Sequence, residues 1–142
     1  MNSIHFSSKT IEWETPQWLF DNLNAEFGFT VDVCATAENA KCKRFYSLQN
    51  DGLSQNWRGE TVWCNPPYGR EMTKWIEKAS EEAKKGARIV MLIPARTDTK
   101  AFHEHIYNRT EIRFLKGRLK FGDAKNAAPF PSMVVIFNER KG

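Results

Sequence analysis

The chain has 142 residues, of which 41% are hydrophobic and 27% are charged, and its formal net charge is +4. This length and composition are typical of one globular domain covering residues 1–142. No apolar run reaches the length of a membrane span, and no apolar segment near the start resembles a signal peptide. These features argue against a membrane or secreted protein, and we expect a soluble cytoplasmic one.

The charge is distributed unevenly along the chain. Residues 1–66 hold five Lys/Arg against eight Asp/Glu, whereas residues 67–142 hold sixteen against nine. The first part therefore carries −3 and the second +7. Such asymmetry suggests that one face meets a polyanion while another handles a cation. The alternative is ordinary surface charge that keeps the protein soluble.

The first predicted helix follows a short arm. Residues 1–9 show no hydrophobic period and are interpreted as a loose arm. A helix then begins at Thr15 and Pro16, because threonine can cap a helix and proline suits the first helical position. Apolar side chains recur on one face until Gly28 ends the helix. These apolar residues are Trp18, Leu19, Leu23 and Phe27.

Residues 29–34 predict the first buried strand, which contains a carboxylate, Asp32. Burying a carboxylate is costly unless a positive or hydrogen-bonding group meets it. Asp32 is therefore either a binding residue or a structural one that accepts hydrogen bonds from nearby backbone donors. Residues 35–39 lack the glycines of many nucleoside-binding turns. Residues 41–57 are polar and irregular, with a turn at residues 50–52.

A short strand at residues 61–64 leads into Asn65-Pro66-Pro67-Tyr68. Each proline fixes its own φ, removes its own N–H and pushes the preceding residue out of the α region. Such a loop offers carbonyl oxygens and few amide donors, which suits it to hold an –NH2 group. The Asn65 side-chain oxygen and the Pro66 carbonyl could each accept one amine hydrogen, and Tyr68 offers a face for an aromatic base. The alternative is a plain proline turn after a buried strand.

The next segments predict two helices around a central strand. Residues 70–85 form the clearest helix, with one apolar stripe. Residues 88–93 are a continuous aliphatic run, typical of a parallel strand that is covered on both faces. Residues 99–107 predict a shorter helix that is anchored by Phe102 and Ile106.

Residues 111–121 alternate between apolar and basic side chains, with a bend at Gly117. We interpret this stretch as a strand and bend whose basic side contacts DNA phosphates, with a solvated surface as the alternative. The candidate DNA-binding residues are Arg113, Lys116, Arg118 and Lys120. Residues 132–137 predict a final buried strand.

The cysteines do not predict a metal site. Cys34, Cys42 and Cys64 are odd in number and lack a close metal-ligand spacing, so we interpret them as reduced, mostly buried thiols. A zinc site that joins them to His103 and His105 is disfavoured, because helical spacing would splay the two rings. We therefore expect no metal.

The alternation of helices and strands argues for an α/β sandwich with a mostly parallel sheet and helices on both faces. The motif from Asn65 to Tyr68 resembles the catalytic motif of amino-methyltransferases that use S-adenosylmethionine. More closely, five blocks in this order resemble the small phage-type, Dam-like DNA adenine-N6 methyltransferases. The blocks are residues 14–18, residues 32–35 with Asn39, and residues 51–57, 62–68 and 117–121.

The resemblance implies a reduced Rossmann-like methyltransferase fold whose last strand is antiparallel. It also implies S-adenosylmethionine as the cofactor, DNA as the partner and the cytoplasm of a bacterial host as the location. The implied catalytic residues are Asn65, Pro66, Pro67 and Tyr68. The implied cofactor-binding residues are Thr15, Pro16, Asp32, Cys34, Ala35 and Asn65.

We therefore predict methyl transfer from S-adenosylmethionine to the N6 amine of an adenine that is flipped out of DNA. The rate then comes from alignment and fixed dipoles rather than from a titrating base. Two alternatives stay open. One is the same chemistry on cytosine N4, RNA or a glutamine side chain, and the other is a catalytically inactive DNA-binding module with this fold.

Overall fold

The computed structural model describes residues 14–122 and 126–138. The loose arm predicted for residues 1–9 lies outside the described residues. Five strands form one sheet within the described chain. In chain order the elements are α1 (Gln17–Phe27), β1 (Val31–Asp32), a 3₁₀ turn (Gly52–Ser54), β2 (Thr61–Cys64), α2 (Met72–Lys84), β3 (Arg88–Pro94), a π-helical turn (Phe102–Ile106), β4 (Glu111–Phe114) and β5 (Ser132–Asn138).

The strands lie in the order β1-β2-β3-β5-β4. β1, β2 and β3 pair in parallel, whereas β5 is antiparallel to both of its neighbours, β3 and β4. Four of the five strands therefore run in one direction, and the predicted antiparallel last strand is confirmed. The sheet is nevertheless mixed, because inserting β5 makes two of the four ladders antiparallel.

This topology places the carboxyl ends of β2, β3 and β4 at one edge of the sheet. Ile93 of β3 and Phe114 of β4 both pair with Met133 of β5, so they lie at the same level. Cys64, which ends β2, pairs with Met91 of β3. We call this side the carboxyl edge, and the segments that leave the three strands begin there.

Each face of the sheet is covered by one amphipathic helix. Alternate residues of a strand point to opposite faces, and on β3 Val90 packs in one core cluster while Met91 packs in the other. α1 covers the first face through side chains such as Leu23, and α2 covers the second through Ile76 and Ala79. The prediction of helices on both faces is confirmed.

The start of α1 differs from the prediction. Pro16 occupies the N-cap position, and the Thr15 hydroxyl makes no capping hydrogen bond because it is engaged in the candidate site. The predicted apolar face also included Trp18, yet this side chain is 59% exposed. Phe20 takes the buried position instead. The predicted end is confirmed, since Gly28 closes the helix in the left-handed conformation with φ 68°.

The loop before β2 is fixed onto α2 by a buried carboxylate. Glu82 of α2 accepts a hydrogen bond of 2.7 Å from the backbone N–H of Trp57 and pairs with Lys78 at 3.2 Å. The pKa of Glu82 is lowered overall. Burial alone would raise it, but the two hydrogen bonds and the charges of Lys78 and Lys85 outweigh burial. No helix in the described part of the chain is long and apolar enough to cross a membrane.

Candidate active site

The Asn-Pro-Pro-Tyr motif lies at the carboxyl edge, directly after β2. The ladder to β3 stops here, since Pro66 and Pro67 have no N–H with which to extend it. Nδ2 of Asn65 donates a hydrogen bond of 2.9 Å to Oγ1 of Thr15, which is only 4% exposed. This bond joins the segment before α1 to the motif and fixes the direction of the Asn65 amide.

A cavity of about 120 Å³ opens beside the motif. It lies between the ends of β1 and β2, the segment before α1, and the chain that connects β1 to the 3₁₀ turn. The predicted site residues that line it are Thr15, Asp32, Cys34, Ala35, Asn65, Pro66 and Pro67. The structure therefore brings predicted catalytic and predicted cofactor-binding residues into one site.

Asp32 is a buried carboxylate in the cavity wall, 2% exposed. It accepts hydrogen bonds from the backbone N–H groups of Cys34 at 3.2 Å and Lys41 at 3.0 Å. Burial raises the pKa of Asp32 to about 6, and the two hydrogen bonds oppose this rise. The carboxylate thus meets backbone donors, as the structural alternative expects. Its binding role stays a prediction.

The charged groups in the described lining are mostly acidic. Carboxylates are contributed by Glu14, Asp32 and Asp51, and the ammonium group by Lys41. Nζ of Lys41 donates a hydrogen bond of 2.8 Å to Oε1 of Gln17 on α1. All these groups belong to the acidic first part of the chain. Such a site favours a ligand with net positive charge that also carries an anionic group.

Apolar side chains form the rest of the wall. Trp63 and Trp75 are buried at the sheet and at α2, respectively. Leu48 lines the cavity while it is 88% exposed, which places it at the mouth. Such surfaces suit a flat apolar ring, because removing apolar area from water is favourable.

An extended segment at residues 44–46 supports this wall, although the sequence indicated only irregular structure there. Phe45 forms a parallel bridge with Asp32. The Asp32 N–H donates to the Arg44 carbonyl at 3.1 Å, and the Tyr46 N–H donates to the Asp32 carbonyl at 2.9 Å. The signal in the sequence was Phe45 and Tyr46, two strand-favouring residues within a polar stretch.

Gly52 lets the 3₁₀ turn approach β1 closely. A Cβ at this position would lie 2.1 Å from the carbonyl oxygen of Val33. The preceding residue, Asp51, has a φ of 56°, which is uncommon for a residue other than glycine. Both Asp51 and Gly52 line the cavity, and backbone strain of this kind often occurs at functional sites.

Tyr68 comes directly after Pro67, the last motif residue that lines the cavity, but does not itself line it. Its hydroxyl donates to the carbonyl oxygen of Leu92 at 3.2 Å. Its ring packs edge-on against Phe121 and Phe130, with centroid distances of 6.2 and 5.6 Å. Burial raises the pKa of Tyr68 far above its usual range, so the phenol is protonated at neutral pH. Stacking of a base on Tyr68 stays a prediction.

Arg113 differs from the other predicted DNA-binding residues. It donates two hydrogen bonds of 2.7 Å to the carboxylate of Glu26 and one of 2.7 Å to Glu111. Its guanidinium also lies 5.5 Å from the ring centroid of Phe27. Two carboxylates therefore compensate its charge, and Arg113 joins β4 to α1. Its role as a phosphate contact stays a prediction.

The bend after β4 keeps the other predicted basic residues exposed. Lys116, Arg118 and Lys120 form no ion pair with any carboxylate in residues 14–122 and 126–138. At the end of the bend, the Gly122 N–H donates a hydrogen bond of 2.8 Å to the carbonyl of Glu14. Since Glu14 lines the cavity, the bend lies at the rim of the candidate site.

The cysteines are protonated thiols. Burial raises the pKa of Cys34 to about 12 and that of Cys42 to about 11, and Cys64 is fully buried. His103 contacts the carbonyl oxygen of Thr97 through Nε2 at 2.8 Å. Among the residues that the structure describes, no group of three or more His, Cys, Asp or Glu side chains could hold a metal ion.

Comparison with known proteins identifies the family. The family profile described as DNA N-6-adenine-methyltransferase (Dam) matches residues 4–142. The chain belongs to this family. The chain is 29% identical over 136 residues to the DNA N-6-adenine-methyltransferase of Haemophilus phage HP1 (strain HP1c1), covering 90% of this chain and 79% of that protein. It is 34% identical over 109 residues to the DNA N-6-adenine-methyltransferase of Escherichia phage T1, covering 75% and 45%.

Membership in the Dam family confirms the resemblance that the five sequence blocks indicated. It assigns the protein to a family of adenine-specific DNA methyltransferases with relatives in phages.

In this Dam-family chain, two of the predicted catalytic and cofactor-binding residues lie outside the cavity: Pro16, which caps α1, and Tyr68. The sequence did not single out Lys41 or Leu48, both of which line the cavity, because neither belongs to a motif or a periodic element.

Proposed function

We propose that this Dam-family protein transfers a methyl group from S-adenosylmethionine to the exocyclic N6 amine of adenine in DNA. The observation that carries the proposal is the hydrogen bond between Asn65 and Thr15 at the wall of the cavity. It links the amide of the motif to the candidate cofactor site. A reduced Rossmann-like fold is supported by the strand order, in which one antiparallel strand separates β3 from β4.

The chemistry of the lining fits S-adenosylmethionine. This molecule combines two cations, an anionic carboxylate and an adenine ring, and when bound it supplies an electrophilic methyl group. We propose that Asp32 and Glu14 attract the cationic centres and that Lys41 meets the carboxylate. The adenine ring would lie against Leu48 and Trp75, which provide apolar surface.

The residues of the motif position the target amine. We propose that Oδ1 of Asn65 and the carbonyl oxygen of Pro66 accept its two hydrogens, which directs the nitrogen lone pair towards the cofactor site. Because Thr15 holds Nδ2, the amide is oriented before the target binds, and fixed dipoles of this kind cost no reorganisation during reaction. As the new N–C bond forms, the S–CH3 bond of the donor would break to leave a neutral thioether, and the amine loses one proton to water.

The target adenine must leave the duplex, which costs a few kcal/mol. We propose that stacking of the base on Tyr68 partly offsets this cost, since stacking on an aromatic side chain contributes about 1–3 kcal/mol per base. The protonated phenol of Tyr68 does not act as a base. The rate therefore depends on alignment.

The test is to incubate the protein with labelled S-adenosylmethionine and duplex DNA, and to analyse the digested nucleosides by mass spectrometry. We expect label in N6-methyladenine. Asn65→Ala should remove it while calorimetry still shows cofactor binding. The control is Asn22→Ala, because Asn22 is exposed on α1.

Other outcomes would contradict the proposal in different ways. Label in N4-methylcytosine would identify another acceptor, as would transfer to RNA or to a glutamine side chain when either replaces the duplex. No heat with S-adenosylmethionine would indicate an inactive DNA-binding module. Retained turnover in Asn65→Ala would refute the role of the amide.

A further inference from the structure

We propose that Arg70 and Arg96 contact the phosphate backbone of duplex DNA beside the active site. The inference rests on the proposed function, and it adds two residues that none of the sequence motifs singled out. Both arginines follow strands that end at the carboxyl edge, on the side of the sheet where the cavity opens.

The two arginines are placed by neighbouring strands. Arg70 is exposed in the loop that follows the motif after β2, and Arg96 is exposed two residues after the last residue of β3. β2 and β3 are paired, so the two loops start side by side. The backbone of Arg96 is held in a tight turn, because its N–H donates to the Pro94 carbonyl at 2.9 Å and its carbonyl accepts from the Thr99 hydroxyl at 3.2 Å.

The charges of Arg70 and Arg96 are not compensated by described carboxylates. Neither arginine forms an ion pair with a carboxylate in the described ranges. The acidic neighbour of Arg70, Glu71, lies 3.6 Å from Lys74 instead. By contrast, Arg113 is fully engaged with its carboxylate partners. Exposed arginines of this kind are suited to phosphate contacts.

Together with the bend at residues 116–120, these loops put positive charge on three segments of the carboxyl edge. The bend starts at the end of β4 and reaches back to the motif, where Phe121 packs against Tyr68, two residues before Arg70. Arg70, Arg96 and the bend therefore surround the motif on the same side of the sheet, where phosphates of one duplex can contact all three.

The test is DNA binding by Arg70→Ala, Arg96→Ala and the double variant, measured by fluorescence anisotropy with a short duplex at several salt concentrations. Arg109→Ala is the matched control. Arg109 is also exposed and without a described ion pair, but it precedes β4 and so lies at the opposite edge. Calorimetry with S-adenosylmethionine checks that each variant retains a folded cofactor site.

We expect each single substitution at Arg70 or Arg96 to weaken binding about tenfold. Each should also reduce the slope of log Kd against log salt by about 1, as the loss of one phosphate contact predicts. Arg109→Ala should bind like the unchanged protein. Unaltered binding by the double variant would overturn the proposal, as would an equal loss in Arg109→Ala.

Methyl transfer by the unchanged protein separates this proposal from the function on which it rests. If the protein methylates adenine but the double variant binds DNA normally, the surface is wrong and the function stands. If the variants lose DNA binding as expected but the unchanged protein transfers no methyl group, the proposed DNA-binding surface stands and the proposed function is wrong.

Discussion

Asn65 and Thr15, which are 50 residues apart in the chain, are joined by a hydrogen bond of 2.9 Å between the amide Nδ2 and the hydroxyl Oγ1. Thr15 is buried, so no water can readily replace it as the acceptor. An unsatisfied buried donor costs about 1–3 kcal/mol. The orientation of the motif at the end of β2 therefore depends on a residue that precedes α1.

Thr15→Val tests this dependence, because valine keeps the shape of threonine and removes the acceptor. We expect the rate of methyl transfer to fall about 10- to 100-fold, as a loss of 1–3 kcal/mol in alignment implies. Thr15→Ser keeps the hydroxyl and should restore most of the rate. A normal rate in Thr15→Val would show that Asn65 is oriented by other contacts.

Lys41→Met tests the proposed contact with the cofactor carboxylate. Removing one charge-assisted hydrogen bond should weaken S-adenosylmethionine binding about tenfold or more. Methylthioadenosine, which lacks the amino-acid part, should bind both proteins equally in calorimetry. Lys43→Met is the control, since Lys43 is exposed nearby and does not line the cavity. Equal losses for both ligands would instead indicate a distorted site.

Asp32 makes stability depend on pH. Burial raises its pKa from 3.8 to about 6, so the folded protein retains a proton that the unfolded chain loses. The stability that this protonated carboxyl contributes is full below about pH 4 and is lost as the pH rises through 6. As the pH rises across this window, the free energy of unfolding of the unchanged protein should fall by about 3 kcal/mol relative to that of Asp32→Asn.

Urea unfolding of both proteins at several pH values measures this difference. Asp98→Asn, in an exposed loop, should follow the unchanged protein at each pH. Parallel curves for Asp32→Asn and the unchanged protein would mean that Asp32 titrates at its ordinary pKa.

Gly52→Ala should destabilise the protein, because the new Cβ would lie 2.1 Å from the Val33 carbonyl oxygen. Overpacking against backbone typically costs about 1–3 kcal/mol. Denaturant unfolding measures the loss, and cofactor affinity should fall too, since Gly52 lines the cavity. In Gly59→Ala the new Cβ meets no atom within 4 Å, so this variant should lose stability through its positive φ and keep cofactor affinity.

Tyr68 separates stability from base capture. Tyr68→Phe removes the hydrogen bond to Leu92 and should cost about 1 kcal/mol of stability while DNA methylation continues. Tyr68→Ala also removes the ring, and KM for duplex DNA should rise about tenfold as stacking is lost. Steady-state kinetics compare the two variants. A normal KM in Tyr68→Ala would exclude the stacking role.

Local patterns in the sequence predict the elements that have a strong period of their own. The apolar stripe of α2 and the aliphatic run of β3 are found close to their predicted bounds, because one face or both faces of each are buried. Such local patterns do not indicate which distant segments of the chain contact each other. Arg113 was predicted to face DNA, and its partner Glu26 lies 87 residues away.

The same limit applies within the candidate site. Residues 65–67 could be chosen from their chemistry alone, since two prolines after a strand restrict the backbone whatever surrounds them. Lys41 is held at the cavity by a hydrogen bond from its backbone N–H to Asp32, nine residues earlier in the chain, which no local pattern indicates. Trp18 is as hydrophobic as a core residue, so the helical period placed it on the buried face of α1. It lies on the exposed side instead.

The position of β5 sets an order in which the chain can fold. This strand is the last of the five along the chain, yet it lies between β3 and β4 and pairs with both. Until the ribosome releases residues 132–138, β3 keeps an open hydrogen-bonding edge and β4 has no neighbour in the sheet. A nascent chain that stalls before this point should therefore need a chaperone, and truncation within β5 should yield aggregates rather than a smaller enzyme.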